Sequence, residues 1–172
     1  MFWSFLFLCF YENNLDSQIF LFNDDVRELH NKFESDSFDV VTCNPPYFKI
    51  SDSSFLNDNT VKAVARHELY LCLDDVLNQA SYLLKSGGVF AMVHRTERLI
   101  EILAVFKKYH IEPKRIQFIY PKEGKNSDLF LIEGIKNGNV GLKMLYPMII
   151  HKNNDEYTDV VQNILEFNCK GV

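Results

Sequence analysis

One apolar run with an unusual exit constrains this chain more than any other feature. Phe38-Asp39-Val40-Val41-Thr42-Cys43 has the β-branched, apolar character of a buried strand, and Asn44-Pro45-Pro46-Tyr47 follows it directly. A polar amide, two rigid prolines and an aromatic ring stand where a strand must stop, because proline fixes φ and has no N–H. In open α/β sheets ligands bind just outside the carboxyl ends of the strands. The tetrapeptide is therefore the first candidate site.

The pattern around it alternates. Gln18 to Phe22 predicts a short strand ended by Asn23-Asp24-Asp25, and the apolar positions 26, 29 and 33 predict a helix over 26–33. After the 38–43 strand, residues 48–61 are polar and predict a loop. Apolar residues at 69, 73, 76, 77, 80, 83 and 84 predict a helix over 67–84, with Lys85 in its last turn and Gly87-Gly88 as its stop. Val89 to Val93 predicts a strand, and Leu99, Ile102, Leu103 and Phe106 place one face of a helix over 97–109. Pro113 is expected to break the chain before a strand over 115–120. A polar turn at 121–127 and a strand over 129–135 would complete an antiparallel hairpin at one edge. The tail carries an apolar stretch after Pro147, a turn at 153–155 and a short helix ending near Phe167. Alternation of this kind predicts an α/β fold with a mostly parallel sheet.

Composition limits the function classes. At 172 residues the chain has a single-domain length, by the prior of about 100–200 residues per domain. Its 47% hydrophobic and 24% charged residues are those of an ordinary globular domain. A net charge of −5 argues against a protein that coats nucleic acid non-specifically, while leaving a local basic groove open. Cys9, Cys43, Cys72 and Cys169 form no C-x-x-C pair, so no metal site is expected, and scattered thiols suit a reducing cytoplasm. Met1 to Phe10 is apolar but shorter than the roughly 20 residues a spanning helix needs. It lacks the basic start and cleavage site of a secretory signal and is expected to be a buried strand or helix; no membrane partner is expected.

Asn44-Pro45-Pro46-Tyr47 resembles the N-P-P-Y signature of class I S-adenosylmethionine-dependent methyltransferases that act on an exocyclic amine. Further segments narrow the resemblance: Phe48-Lys49, Ala65-Arg66-His67-Glu68, Leu83-Leu84-Lys85-Ser86-Gly87-Gly88, Val93-His94-Arg95, Glu112-Pro113-Lys114-Arg115-Ile116 and Leu131-Ile132-Glu133-Gly134-Ile135-Lys136. They are similar to bacterial enzymes that methylate N6 of an adenine beside the anticodon of valine tRNA. The resemblance implies a partial Rossmann-like sheet, S-adenosylmethionine as methyl donor, tRNA as substrate and a cytoplasmic location. It assigns Asn44, Pro45, Pro46 and Tyr47 to catalysis, with Tyr47 also stacking on the base. The lone pair of such an amine is delocalised into the ring. The Asn44 side-chain oxygen and the Pro45 carbonyl would accept its two hydrogens and localise that pair, a positioning effect. Asp25 is implied near the donor's adenine, and is equally expected to be a helix N-cap. Phe48, Arg66, His67, His94 and Arg95 are implied at the substrate, with Arg98 extending the basic cluster. For Arg66 and His67 a solvated helix start, and for the basic cluster an ordinary charged surface, are the structural alternatives.

The chain departs from that family in one respect. The family's first strand is followed by a glycine-rich turn, and its second ends in an acid; here the first glycine is Gly87. The family-like text begins near Asn14. Residues 1–13 are thus expected to be an unrelated apolar segment and 14–172 the carboxyl part of the domain, with the first two strands missing and donor binding impaired. Whether such a chain is an enzyme stays open. A catalytically inactive remnant that binds RNA or protein, and an N-P-P-Y enzyme acting on DNA adenine or protein glutamine, are the other readings.

Overall fold

A computed structural model describes residues 17–45 and 72–166, and the first strand among them, β1, spans Phe38–Cys43 as its sequence predicts. Helix α1 (Leu73–Leu83) leads without a break into β2 (Leu84–Arg95); α2 (Leu99–Lys108) follows a 3-10 turn at Thr96–Arg98. The hairpin is β3 (Ile111–Lys122) and β4 (Leu129–Lys136). Short strands β5 (Lys143–Met144) and β6 (Met148–His151) and helix α3 (Asp159–Leu165) complete the order.

The strands lie in the order β1-β2-β4-β3, with β5 and β6 both on the outer edge of β3. β1 and β2 are parallel, from Val40↔Val89 to Cys43↔Met92. β4 is antiparallel to β2 on one side and to β3 on the other. β1, β2, β3 and β6 therefore point the same way, and their carboxyl ends share one edge of the sheet. The antiparallel strand sits inside this order, not at the edge where the sequence suggested it.

One face of the sheet packs under α1 and α2. Leu73, Val76, Leu77 and Ala80 recur at helical spacing and meet Phe90, Met92, Phe130 and Ile132 from the strands and Ile102 and Phe106 from α2. Phe90 and Phe106 lie 5.5 Å apart and both are fully buried; burial of a side chain of this size is worth about 1.5–3 kcal/mol. Alternation along β2 follows from this: Phe90, Met92 and His94 are buried, whereas Val89, Ala91 and Val93 on the other face are only half-buried.

Several expectations are corrected. Residues 19–25 form no strand; Phe20 and Phe22 are 76% and 52% exposed. A strand needs a neighbour for its N–H and C=O groups, and none of the described strands pairs with this run. Val26–Asn31 is a single 3-10 stretch, not a longer helix. Gly87-Gly88 does not end α1. It lies inside β2 at a bulge, where two residues of β1, Phe38 to Val40, span Leu84 to Val89. Gly87 has φ of +85°, and a Cβ on Gly88 would meet the Lys85 carbonyl oxygen at 2.9 Å, so both positions require glycine. Pro113 does not break the chain either. It sits within β3 at a register shift between Pro113 and Arg115, where a bulge tolerates its missing N–H. The expectations for Met1 to Phe10, the 48–61 loop, the start of the 67–84 helix and Phe167 lie outside the described residues.

Candidate active site

The carboxyl edge of the sheet begins with Asn44, one residue past β1 and exposed, and Pro45, which is buried. Continuing the register one step at a time beyond Cys43↔Met92 brings Asn44 level with Val93 and Pro45 level with His94. The structure thus places the amide of the motif and the Val93-His94-Arg95 segment side by side on adjacent parallel strands. Pro46, Tyr47, Phe48, Arg66 and His67 lie outside the described residues.

His94 is 1% exposed and faces the helix-covered side with Phe90 and Met92. Its Nδ1 accepts the Arg95 N–H at 2.8 Å, which fixes the remaining proton of the neutral ring on Nε2. Burial pushes its pKa down to about 4, helped by the charges of Arg98 and Arg95 and opposed by Glu101. It is a neutral, enclosed imidazole and not a surface cation. Arg98 is itself largely buried and bidentate to Glu101, at 2.8 and 3.2 Å. Arg95 stands 3.6 Å from Glu97. The three side chains read as a basic cluster from sequence therefore do not present three open charges; Arg95 is the most exposed of them.

Asp25 is the N-cap of the 3-10 stretch. It accepts the Arg27 main-chain N–H at 3.0 Å and the Arg27 guanidinium at 3.0 and 2.5 Å. The side-chain bond to Arg27 chiefly, then the backbone bond, holds its carboxyl at about 2. The structural alternative for Asp25 is realised. Its side chain is still 40% exposed, and each oxygen retains acceptor capacity, so it fits a donor hydroxyl or amine at that one point. Arg27 is the partner the apolar pattern gave no reason to single out; the only signal is an acid two residues before a base at a helix start.

Cys43 borders the site but is no nucleophile at neutral pH, since burial pushes its thiol up to about 11. A groove of about 380 Å³ opens on the half-covered face. Thr42, Ala91, Val93 and Leu131 give it an apolar wall, and Gln117 and Arg115 a polar one, with Arg115 Nε donating to Glu133 at 2.9 Å. It reaches Thr42 and Cys43, the two residues before Asn44. Among the described residues no group of three or more His, Cys, Asp or Glu could hold a metal, and no helix is long and apolar enough to cross a membrane.

Residues 6–130 match the family model described as Eco57I restriction-modification methylase. The chain belongs to this methylase family. Its curated relatives include the tRNA1(Val) (adenine(37)-N6)-methyltransferase of Bacteroides thetaiotaomicron, 29% identical over 129 residues, which cover 74% of this chain and 53% of that protein. The enzyme of the same name from Cytophaga hutchinsonii is 28% identical over 94 residues, 55% of this chain and 38% of that one. The methylase chain thus spans about half, or less, of the length of these relatives. A protein described as a predicted O-methyltransferase, from Agrobacterium tumefaciens, shares the fold with a TM-score of 0.68 at 20% identity, over 88% of this chain and 64% of its own. The sheet is therefore that of a methyltransferase, with the antiparallel hairpin strand inserted beside β2.

Proposed function

We propose that this methylase transfers a methyl group from S-adenosylmethionine to the exocyclic N6 amine of an adenine in tRNA. One observation carries the reading: Asn44-Pro45 stands at the carboxyl end of β1, beside the parallel strand β2, with the amide exposed and the proline buried beneath it. S-adenosylmethionine supplies an electrophilic methyl group. The chain's own part is to orient the amine. The Asn44 side-chain oxygen and the Pro45 carbonyl take the two amine hydrogens, Pro45 and Pro46 keep that pair rigid, and Tyr47 stacks on the extruded base. Asp25 meets the donor, and Phe48, Arg66, His67 and Arg95 meet the RNA. Residues 14–172 form the carboxyl part of the methyltransferase domain, 1–13 are a separate apolar segment, and the chain works in the cytoplasm.

The curated relatives support RNA as substrate, while the family description points to restriction-modification, hence DNA. Total tRNA, duplex DNA and a glutamine peptide incubated with the chain at millimolar donor, then analysed by mass spectrometry, separate these. N6-methyladenosine in tRNA alone is expected; methyl in DNA or peptide with none in tRNA overturns the substrate. A second reading, a remnant that binds RNA without turnover, draws on the pairing of Asp25 with Arg27. It predicts tRNA binding with no methyl incorporation at any donor concentration.

A further inference from the structure

The end of β1 poses a bonding problem. Pro45 and Pro46 have no N–H, so the main chain here offers carbonyl acceptors in succession and no donor of its own. Pro45 is buried, and buried carbonyls need donors. His94 is the polar side chain that the β1–β2 register brings level with Pro45, on the same face as Cys43 and Met92. Its other neighbour across the sheet is Phe130, which is fully buried and has no polar atom. Nδ1 is already occupied by the Arg95 N–H at 2.8 Å. A neutral ring in this state has one N–H left, on Nε2. Arg98 and Glu101, paired with each other at 2.8 Å, lie near enough for their charges to act on the ring.

We propose that His94 is a positioning residue, not a phosphate ligand: a neutral imidazole held in one tautomer that seats the Asn44–Pro45 end of β1 and so aims the Asn44 side chain. The inference rests on the role given to Asn44 but concerns how that residue is held. A leucine at 94 would fill similar space and withhold the N–H; a glutamine would keep an N–H donor.

The test needs neither donor nor RNA, so it is separable from the methyl-transfer reading. Backbone 15N relaxation in the full chain reports the order parameter of Asn44, for which about 0.85 marks rigid backbone and below about 0.6 a flexible one. In the unaltered chain and in His94→Gln, Asn44 is expected near the rigid value. In His94→Leu it is expected below the flexible one, while Ala91 and Ile132 stay rigid in all three. Long-range 15N–1H spectra should show a proton on Nε2 of His94 and none on Nδ1. An Asn44 equally ordered in His94→Leu, an Asn44 already mobile in the unaltered chain, or a failure of His94→Gln to restore order overturns the proposal. With RNA substrate, His94→Leu should lower kcat about tenfold with KM unchanged; a rise in KM alone returns His94 to substrate binding. Absence of methyl transfer in all three chains, with the order parameters as expected, would count against the methyltransferase reading and leave the seating of Asn44 intact.

Discussion

Two side chains at the sheet edge titrate in directions that their surroundings dictate. The carboxyl of Asp25 is held at about 2 by Arg27, below its ordinary value of 3.8. Between those values the folded state binds fewer protons than the unfolded one, so stability rises with pH there. The contribution is fully present above about pH 4 and is lost as pH falls through about 2. A carboxyl 13C titration should place the midpoint of Asp25 near 2 and, in Arg27→Ala, near 3.8; a midpoint near 3.8 in the unaltered chain contradicts the pairing. His94 is a base whose folded value, about 4, lies below the ordinary 6.5. Here too the unfolded state binds more protons in between, so acid destabilises the fold from about pH 6.5 downward. Urea unfolding at pH 7 and pH 5 should show a smaller loss on acidification in His94→Gln than in the unaltered chain; equal losses count against a buried neutral His94. Neither environment was legible in the sequence. Asp25 could be named as a cap because Asp precedes the apolar face of a helix. The burial of His94 follows from the face of β2 it occupies, which only the packing of α1 and α2 decides.

At the scale of elements, local pattern and tertiary context divided the work. The 38–43 strand, the 129–135 strand and the core faces of both long helices were legible because their periods of 2 and 3.6 are unmixed over several residues. The glycines and prolines misled, since their local signal is the same in a helix stop and in a bulge. Gly87-Gly88 after Lys85 is such a case: the chain passes from α1 straight into β2, and the glycines serve the β1–β2 register. Gly88→Ala should therefore destabilise the fold, as its Cβ would lie 2.9 Å from the Lys85 carbonyl and 3.2 Å from that of Asp39. A loss of about 1–3 kcal/mol is expected, the usual cost of overpacking. Gly87→Ala meets no atom within 4 Å but must hold φ at +85°, which costs about 1–2 kcal/mol. Denaturant titration of both variants checks the order; a neutral Gly88→Ala would mean that the bulge is soft. The 18–22 run failed as a strand for a different reason. Its apolar pattern is real, but strand formation depends on a neighbour that no local pattern encodes.

Across the whole molecule, the family and the edge that bears the site were legible from four residues and their position after a strand. Strand order was not, because the insertion of β4 between β2 and β3 is a property of the sheet and leaves no local trace. The methyl donor should bind this chain weakly. Asp25 is engaged by Arg27, and no glycine precedes Gly87 to let backbone approach a ligand ahead of β1. Isothermal titration with S-adenosylmethionine should give a Kd weaker than about 100 µM, near −5.5 kcal/mol; low-micromolar binding, near −8 kcal/mol, would show a donor site complete in this chain. The central claim is that Asn44 orients an adenine amine. Nucleoside mass spectrometry of tRNA, incubated with the chain at saturating donor, tests it most directly when run with Asn44→Ala beside the unaltered protein. The account predicts N6-methyladenosine from the unaltered chain and a loss of about a hundredfold or more in the variant, at least ~2.7 kcal/mol of barrier, with donor affinity unchanged. Turnover in Asn44→Ala within a few-fold of the unaltered chain would contradict it.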